Sequence, residues 1–235
     1  MEQRDIQSYT NQLYDKAAAT YEDQPGHGLA SLAEQQAWDA DLRDVFTLPV
    51  NAPVLDVGTG TGVFARLFAS WGCQVVGLDP SLQMLAEAER RVPAALRPAL
   101  SFVSGDTVSD STRFPANAFA AIVSRQVVCH LTGPIAAFRH WHTWLQPTGQ
   151  VLIVDGLWSR AGWGDEQIVD ALPLSCLQTR GTIAYLLEQA GLYVVHNGWM
   201  KRVNQVLGCT ETSPRYVILA TKRSVSADDA TANRR

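Results

Sequence analysis

The chain has 235 residues, a formal net charge of −4, 46% hydrophobic and 18% charged residues. That length fits one large α/β domain, or one domain with a small cap, and the composition is that of an ordinary globular protein. The acidic balance excludes a nucleic-acid surface, which needs a basic stripe, and no stretch approaches the roughly 20 apolar residues of a membrane span.

In chain order, Met1-Glu2-Gln3-Arg4-Asp5 is polar and lacks the apolar core of a signal peptide. Cys73, Cys129, Cys176 and Cys209 show no C-x-x-C spacing for zinc or redox work. A cytoplasmic protein with free thiols is therefore expected, with no membrane partner. Across residues 5 to 21, Tyr14, Ala17, Ala18 and Tyr21 recur at three- and four-residue steps, which predicts a helix exposing them on one face. Asp23-Gln24-Pro25-Gly26-His27-Gly28 is a breaker cluster and reads as a loop. Residues 29 to 47 resume a helix, with Leu32, Trp38, Leu42 and Phe46 as its packed side, before Pro49 and Pro53 bracket a linker.

Val54-Leu55-Asp56-Val57-Gly58-Thr59-Gly60-Thr61-Gly62 follows, then the helical pattern Val63-Phe64-Ala65-Arg66-Leu67-Phe68-Ala69. This predicts a buried strand, a tight turn and a helix whose first N–H groups face a ligand. Gln74-Val75-Val76-Gly77-Leu78-Asp79 is a second strand ending in a carboxylate, where doubly wound sheets receive ribose hydroxyls. Dinucleotide enzymes share that acid but space their glycines G-x-G-x-x-G over a pyrophosphate. Here the spacing is G-x-G-x-G, and Asp56, two residues before the first glycine, would repel a pyrophosphate.

Asp56-Val57-Gly58-Thr59-Gly60-Thr61-Gly62 together with Gly77-Leu78-Asp79 resembles the first two motifs of class I S-adenosylmethionine-dependent methyltransferases. The extended agreement, over about residues 10 to 222, is similar to the small-molecule branch related to ubiquinone and menaquinone biosynthesis. The resemblance implies a doubly wound, seven-stranded, mostly parallel α/β sheet with its last strand antiparallel. It implies a helical cap or lid over residues 1 to 48 and a cofactor-binding domain over 49 to 223. Tyr14-Asp15…Tyr21 resembles the family's N-terminal motif, whose aromatic ring lies near the cofactor; packing against the core domain alone is the other reading of these tyrosines.

After Asp79 come Pro80 and Ser81, then Leu82, Met84, Leu85 and Ala88 on a helix to about Arg91. Leu100 to Ser104 is a third strand, followed by Gly105-Asp106-Thr107. The resemblance makes Asp106 the acceptor of the adenine amino group and the Thr107 amide a donor to its ring; Gly-Asp is also a common turn pair. Phe119 to Ser124 is a fourth strand, emptying into Arg125-Gln126-Val127-Val128-Cys129-His130-Leu131 at the switch point of the sheet. That stretch resembles the segment in which the Ser124 carbonyl and nearby polar side chains, here Arg125 and Gln126, meet the methionine end and the substrate. His130 reads either as a substrate-facing base or as a satisfied structural histidine, and Cys129 as a packed thiol.

Pro134 to Leu145 is an amphipathic helix with Ile135, Phe138, Trp141 (or His142) and Leu145 inward, Gln146 to Gln150 a turn, and Val151 to Asp155 a fifth strand. Residues 156 to 178 fit no simple crossover. Trp158, Gly162, Trp163, Gly164, Asp165 and Pro173 suggest an insertion over the carboxyl edge of the sheet, the region that builds the substrate pocket in similar enzymes. Thr179 to Gly191 is a helix, Leu192 to Met200 a strand, Tyr216 to Lys222 the last strand, and 224 to 235 a small, polar, disordered tail.

The expected function is in-line transfer of a methyl group from S-adenosylmethionine to a small metabolite, by a monomer or homodimer without a metal. A neutral amine needs no base, whereas a hydroxyl usually does. The expected cofactor residues are Tyr14, Tyr21, Asp56, Gly58, Thr59, Gly60, Gly62, Asp79, Pro80, Met84, Gly105, Asp106, Thr107, Ser124, Arg125 and Gln126. Tyr21, His27, Gln126, His130, Trp158 and Trp163 are expected at the acceptor. O-methylation with His27 or His130 as base is the close alternative; an NAD-type oxidoreductase and a silent cofactor-binding protein are the rivals from other classes.

Overall fold

The computed structural model describes residues 3–160, 163, 166–177, 179–209 and 213–223, so Gly162, Gly164, Asp165 and the 224–235 tail lie outside the described residues. Seven strands form one sheet: β1 (Pro53–Val57), β2 (Gln74–Asp79), β3 (Leu100–Ser104), β4 (Phe119–Arg125), β5 (Leu145–Gly156), β6 (Leu192–Trp199) and β7 (Arg215–Lys222). Their order is β3-β2-β1-β4-β5-β7-β6. All neighbours pair in parallel except β7, which runs antiparallel to both β5 and β6. This is the doubly wound α/β sheet the motifs imply. The chain steps outward from β1 to β3 and then returns to β4, so the switch point lies between the carboxyl ends of β1 and β4.

Helices cover both faces: α1 (Gln3–Ala17), α2 (Leu32–Arg43), α3 (Val63–Ser70), α4 (Leu82–Arg91), α5 (Pro134–Trp144), α6 (Glu166–Ala171), α7 (Gly181–Gln189) and α8 (Lys201–Leu207). The period of two along each strand sorts the core. Leu55, Ile122, Val151, Ile153 and Ile218 pack on Phe138 and Trp141 of α5 and Ile183 and Leu187 of α7. Val54, Val75, Val123, Leu152 and Leu219 face the opposite way, onto Trp38 and Leu42 of α2, Phe64 and Phe68 of α3 and Val203 of α8. A small third cluster, Ile6, Ile168 and Leu172, joins α1 to α6.

Several local expectations shift. The first helix stops at Ala17 and continues as a 3-10 stretch, Ala18–Asp23. Helix α2 starts after Ser31, whose hydroxyl accepts from the Glu34 N–H, and Leu32, expected on its packed side, is 69% exposed in that first turn. Strand β5 begins at Leu145, through the turn expected at 146 to 150. The turn survives as left-handed Thr148 (φ 63°) and a break in register between Phe119 and Ala121 on β4. Ile135 is only half-buried; Trp144 takes the inward place beside Leu145. Helices α6 and α8 carry no sequence prediction. The four cysteines are free, and no helix among the described residues is long and apolar enough to cross a membrane.

Candidate active site

The turn after β1 carries three left-handed glycines with different duties. Gly58 (φ 63°) lies where a Cβ would come within 2.3 Å of Val127 Cγ2. Gly60 (φ 51°) has nothing within 4 Å of a built Cβ, which leaves its backbone open to a ligand. Gly62 (φ 82°) caps α3 and abuts Ala88 and the Phe102 ring, so it serves helix packing and does not line the cleft. Thr59 Oγ1 donates to Asp56 Oδ2 at 2.6 Å, pinning the turn to the strand before it.

Asp79, at the end of β2, accepts the Gly60 N–H on Oδ2 (2.8 Å) and the Ser81 N–H on Oδ1 (2.9 Å). Burial pushes its carboxyl up to about 6 and that of Asp56 up to about 7, the hydrogen bonds only partly offsetting the lost hydration. Pro80, Met84, Gly105, Asp106, Thr107, Arg125 and Gln126 line the same cleft. Both oxygens of Asp106 are taken by turn amides, Val108 N–H at 3.0 Å and Ser109 N–H at 3.1 Å. Thr107 Oγ1 accepts from Trp141 Nε1 at 2.6 Å. Ser124, whose carbonyl is the group expected at the cofactor, has its side chain wholly buried in the sheet layer, because β4 is a central strand.

The N-terminal segment closes the cleft. Asp15 Oδ1 accepts from Ser81 Oγ (2.5 Å) and the Gln83 N–H (3.3 Å), which fastens α1 onto the start of α4. Glu22 receives Arg66 at 2.9 and 3.0 Å and stands 3.6 Å from Arg91. Gln7, Thr10 and Asn11 of α1 thereby join the cleft lining. Sequence reading missed these three, and their i, i+3, i+4 spacing with Tyr14 is the signal that could have found them.

A second pocket opens beside the cleft, and Thr10, Tyr14, Tyr21, Gln126 and His130 line both. Tyr14 Oη lies 2.9 Å from His130 Nε2. The Tyr21 ring stacks on His27 (centroids 4.5 Å apart, 16° between planes), and His130 meets Trp163 edge-on at 5.0 Å. Trp158 completes this wall, its Nε1 donating to Asp155 Oδ1 at 2.7 Å. Burial drives both histidines down to about 4, so each is neutral near pH 7. Gln126 is held in a left-handed backbone (φ 58°), its N–H donating to Val154 O (2.8 Å) and its amide Nε2 to Gly26 O (3.4 Å). Arg125 Nη2 donates to the His27 carbonyl, and its Nη1 is buried with no protein partner. Among the described residues no group of three His, Cys, Asp or Glu side chains could hold a metal ion.

Fold and cleft together define a class: a doubly wound sheet that presents an open glycine turn and two buried carboxylates at its switch point, as nucleoside-binding α/β domains do. Residues 31–197 match the family model for the methyltransferase domain, and the chain belongs to that family. Among curated proteins it is 34% identical over 118 residues to phosphoethanolamine N-methyltransferase 3 of Arabidopsis thaliana, covering 49% of this chain and 23% of that protein. It is 27% identical over 143 residues to the demethylmenaquinone methyltransferase of Paenarthrobacter aurescens (strain TC1), covering 61% and 53%. Among solved structures, phosphoethanolamine N-methyltransferase 2 of Haemonchus contortus in complex with S-adenosyl-L-methionine matches with a TM-score of 0.69 at 19% identity, over 95% of this chain and 60% of that one. The chain thus spans about a quarter to about half of these curated relatives. It carries an S-adenosylmethionine-dependent methyltransferase domain. The exposed backbone at Gly60 and the unpartnered Arg125 Nη1 and Thr61 Oγ1 fit that cofactor: an open cradle, one unused guanidinium N–H group and an unused hydroxyl lie along one cleft.

Proposed function

We propose that this protein methylates a small metabolite, at an amine nitrogen in preference to oxygen. The observation that carries the reading is the shared wall: cleft and pocket meet at Tyr14, Tyr21, Gln126 and His130. When bound, S-adenosylmethionine supplies a methyl group made electrophilic by its sulfonium. The residues of the chain bind, orient and exclude water, which is most of what such a transfer needs. Each Asp79 oxygen has accepted one backbone N–H and keeps acceptor capacity for a ribose hydroxyl. Asp56 and the Gly58–Gly60 turn take the ammonium end, Arg125 Nη1 the carboxylate, and Gly105 to Thr107 with Pro80 and Met84 the adenosine. Gly62 and Ser124 act from behind, by shaping the layers the cleft rests on. Of the cap expected over residues 1 to 48, only the part up to about residue 31 forms the lid, because Trp38, Leu42 and Phe46 are buried in the core under the sheet. Trp158 and Trp163 of the 156–178 insertion form the outer wall of the acceptor pocket.

The histidine decides between nitrogen and oxygen. When Tyr14 O–H donates to His130 Nε2, the proton of the neutral ring sits on Nδ1 and no base faces the acceptor. An amine arriving with its lone pair free needs none. The names of the phosphoethanolamine N-methyltransferase relatives support the same choice. The experiment is labelled-methyl transfer by His130→Gln. A kcat loss under about tenfold supports an amine; a loss of ~10² or more with cofactor binding intact overturns it in favour of a hydroxyl acceptor and a histidine base.

A further inference from the structure

We propose that the acceptor bears no phosphate or carboxylate, and is instead an amine on an apolar, preferentially aromatic, skeleton recognised by rings. This rests on the methyltransferase reading of the same site and parts from the acceptor named by the phosphoethanolamine relatives. The pocket beside the cleft offers about 530 Å³, room for a small organic molecule. Its walls are the rings of Tyr9, Tyr14, Tyr21, Trp158 and Trp163 with the apolar Leu13. Among the described residues no Lys, Arg, Asp or Glu lines it. The residues flanking Trp163 that lie outside the described set, Ala161, Gly162, Gly164 and Asp165, bring no cation either.

An anion moved out of water into such a place must be paired, and the neighbouring guanidiniums, although Arg125 Nη1 and Arg215 Nε have no partner, do not line the pocket. Arg125 belongs to the cofactor cleft and donates to the His27 carbonyl. Arg215 stacks on the Trp158 ring at 4.3 Å and donates to Ser213 O at 2.6 Å. Arg160 is tied to Asp170 and Glu166. The two ring-wall histidines are neutral and offer no charge. Ring faces, by contrast, hold an aryl group by edge and face contacts and leave an uncharged amine its lone pair. Trp158 is held for this by its hydrogen bond to Asp155 on one side and the stacked Arg215 on the other.

The test is calorimetric titration of the full chain, saturated with S-adenosylhomocysteine, by 2-phenylethylamine and by O-phosphoethanolamine. Binding of 2-phenylethylamine at least about tenfold tighter is expected; equal or tighter binding of O-phosphoethanolamine, or no measurable binding of the aryl amine, overturns the proposal. Trp163→Ala should weaken 2-phenylethylamine about tenfold with S-adenosylhomocysteine affinity unchanged, and an unaltered amine affinity overturns it too. Methyl transfer to 2-phenylethylamine and to 2-phenylethanol separates the two readings. If both bind and only the alcohol is methylated, the amine assignment falls while ring recognition stands.

Discussion

The cofactor cleft and the acceptor pocket share a wall but are made in opposite ways. The cleft is built on strand ends, from backbone N–H groups and two buried carboxylates whose partners sit a few residues away or on the next strand. The pocket is built from α1, the 3-10 stretch after it, the loop after β4 and the insertion after β5, and it is lined by rings and neutral groups. One site recognises by charge and fixed backbone, the other by shape and apolar surface. The first has to be rigid to keep hydrogen-bond donors on two carboxylates that burial pushes toward protonation; the second is assembled from segments outside the sheet.

The largest effect should come from cutting at the border between the two. Trp38, Leu42 and Phe46 are core residues under the sheet, so deletion through residue 45 should leave no cooperatively folding protein, whereas deletion of residues 1–29 should leave a folded core with weak cofactor binding and no turnover. Trp38→Ala alone should cost about 3–5 kcal/mol in urea denaturation. A folded protein lacking residues 1–45 would move α2 from the body of the domain to the lid.

Next is Asp79→Ala, expected to weaken S-adenosylmethionine by about 2–4 kcal/mol in calorimetry, since it removes two hydrogen bonds to a charged acceptor. Unchanged affinity would remove Asp79 from the cofactor site. Among the described residues no charged group lines the acceptor pocket to give an equivalent loss.

A pH series sharpens the same contrast. Asp79 and Asp56 titrate upward in the fold, so each costs the ligand-free protein stability as pH rises from about 4 to 6 or 7. His27 and His130 titrate downward, and their contribution is lost as pH falls from about 6.5 toward 4. The two trends oppose one another in the free protein. A ligand that donates to the carboxylates favours their ionised form, so the Tm increase produced by S-adenosylhomocysteine should grow from pH 5 to 8. An increase that shrinks over that range would contradict the assignment of both acids. Turnover at saturation should show no climb centred on 6.5, because the histidine titrations lie near 4.

The smallest effect concerns the clamp. Glu22→Gln removes the ion pair to Arg66 and the approach to Arg91 from a site that keeps some water. It should weaken cofactor binding by only about two- to fivefold while speeding hydrogen exchange over residues 8 to 30. Exchange rates that do not change would place the lid's hold in Asp15 and the Ile6 cluster instead.

What could be read from sequence follows the same division. The strand–turn–helix and the acids at 56 and 79 were legible because each is a local pattern: alternation, glycine spacing, a carboxylate at a strand end. The seven-stranded sheet with its antiparallel last strand came from the family resemblance, and the strand order is a long-range property that no local pattern carries. The partnership of Tyr14 with His130 was not legible, for the two are 116 positions apart and neither has a local signature. Helix α8 follows β6 with only Met200 between and has no polar cap, although Val203 and Leu207 four apart and the left-handed Gly208 (φ 63°) mark it in retrospect. Gly62 was credited to the cleft because it belongs to the same glycine motif, and proximity in sequence does not say which residues of a turn face the ligand and which face the next helix.

The Ile6, Ile168 and Leu172 cluster ties α1 to the segment after β5 apart from the sheet's two cores. Because α1 also lines the cofactor cleft and is fastened to α4 through Asp15, a change at these three positions would reach both sites through one helix while leaving the sheet's own layers packed.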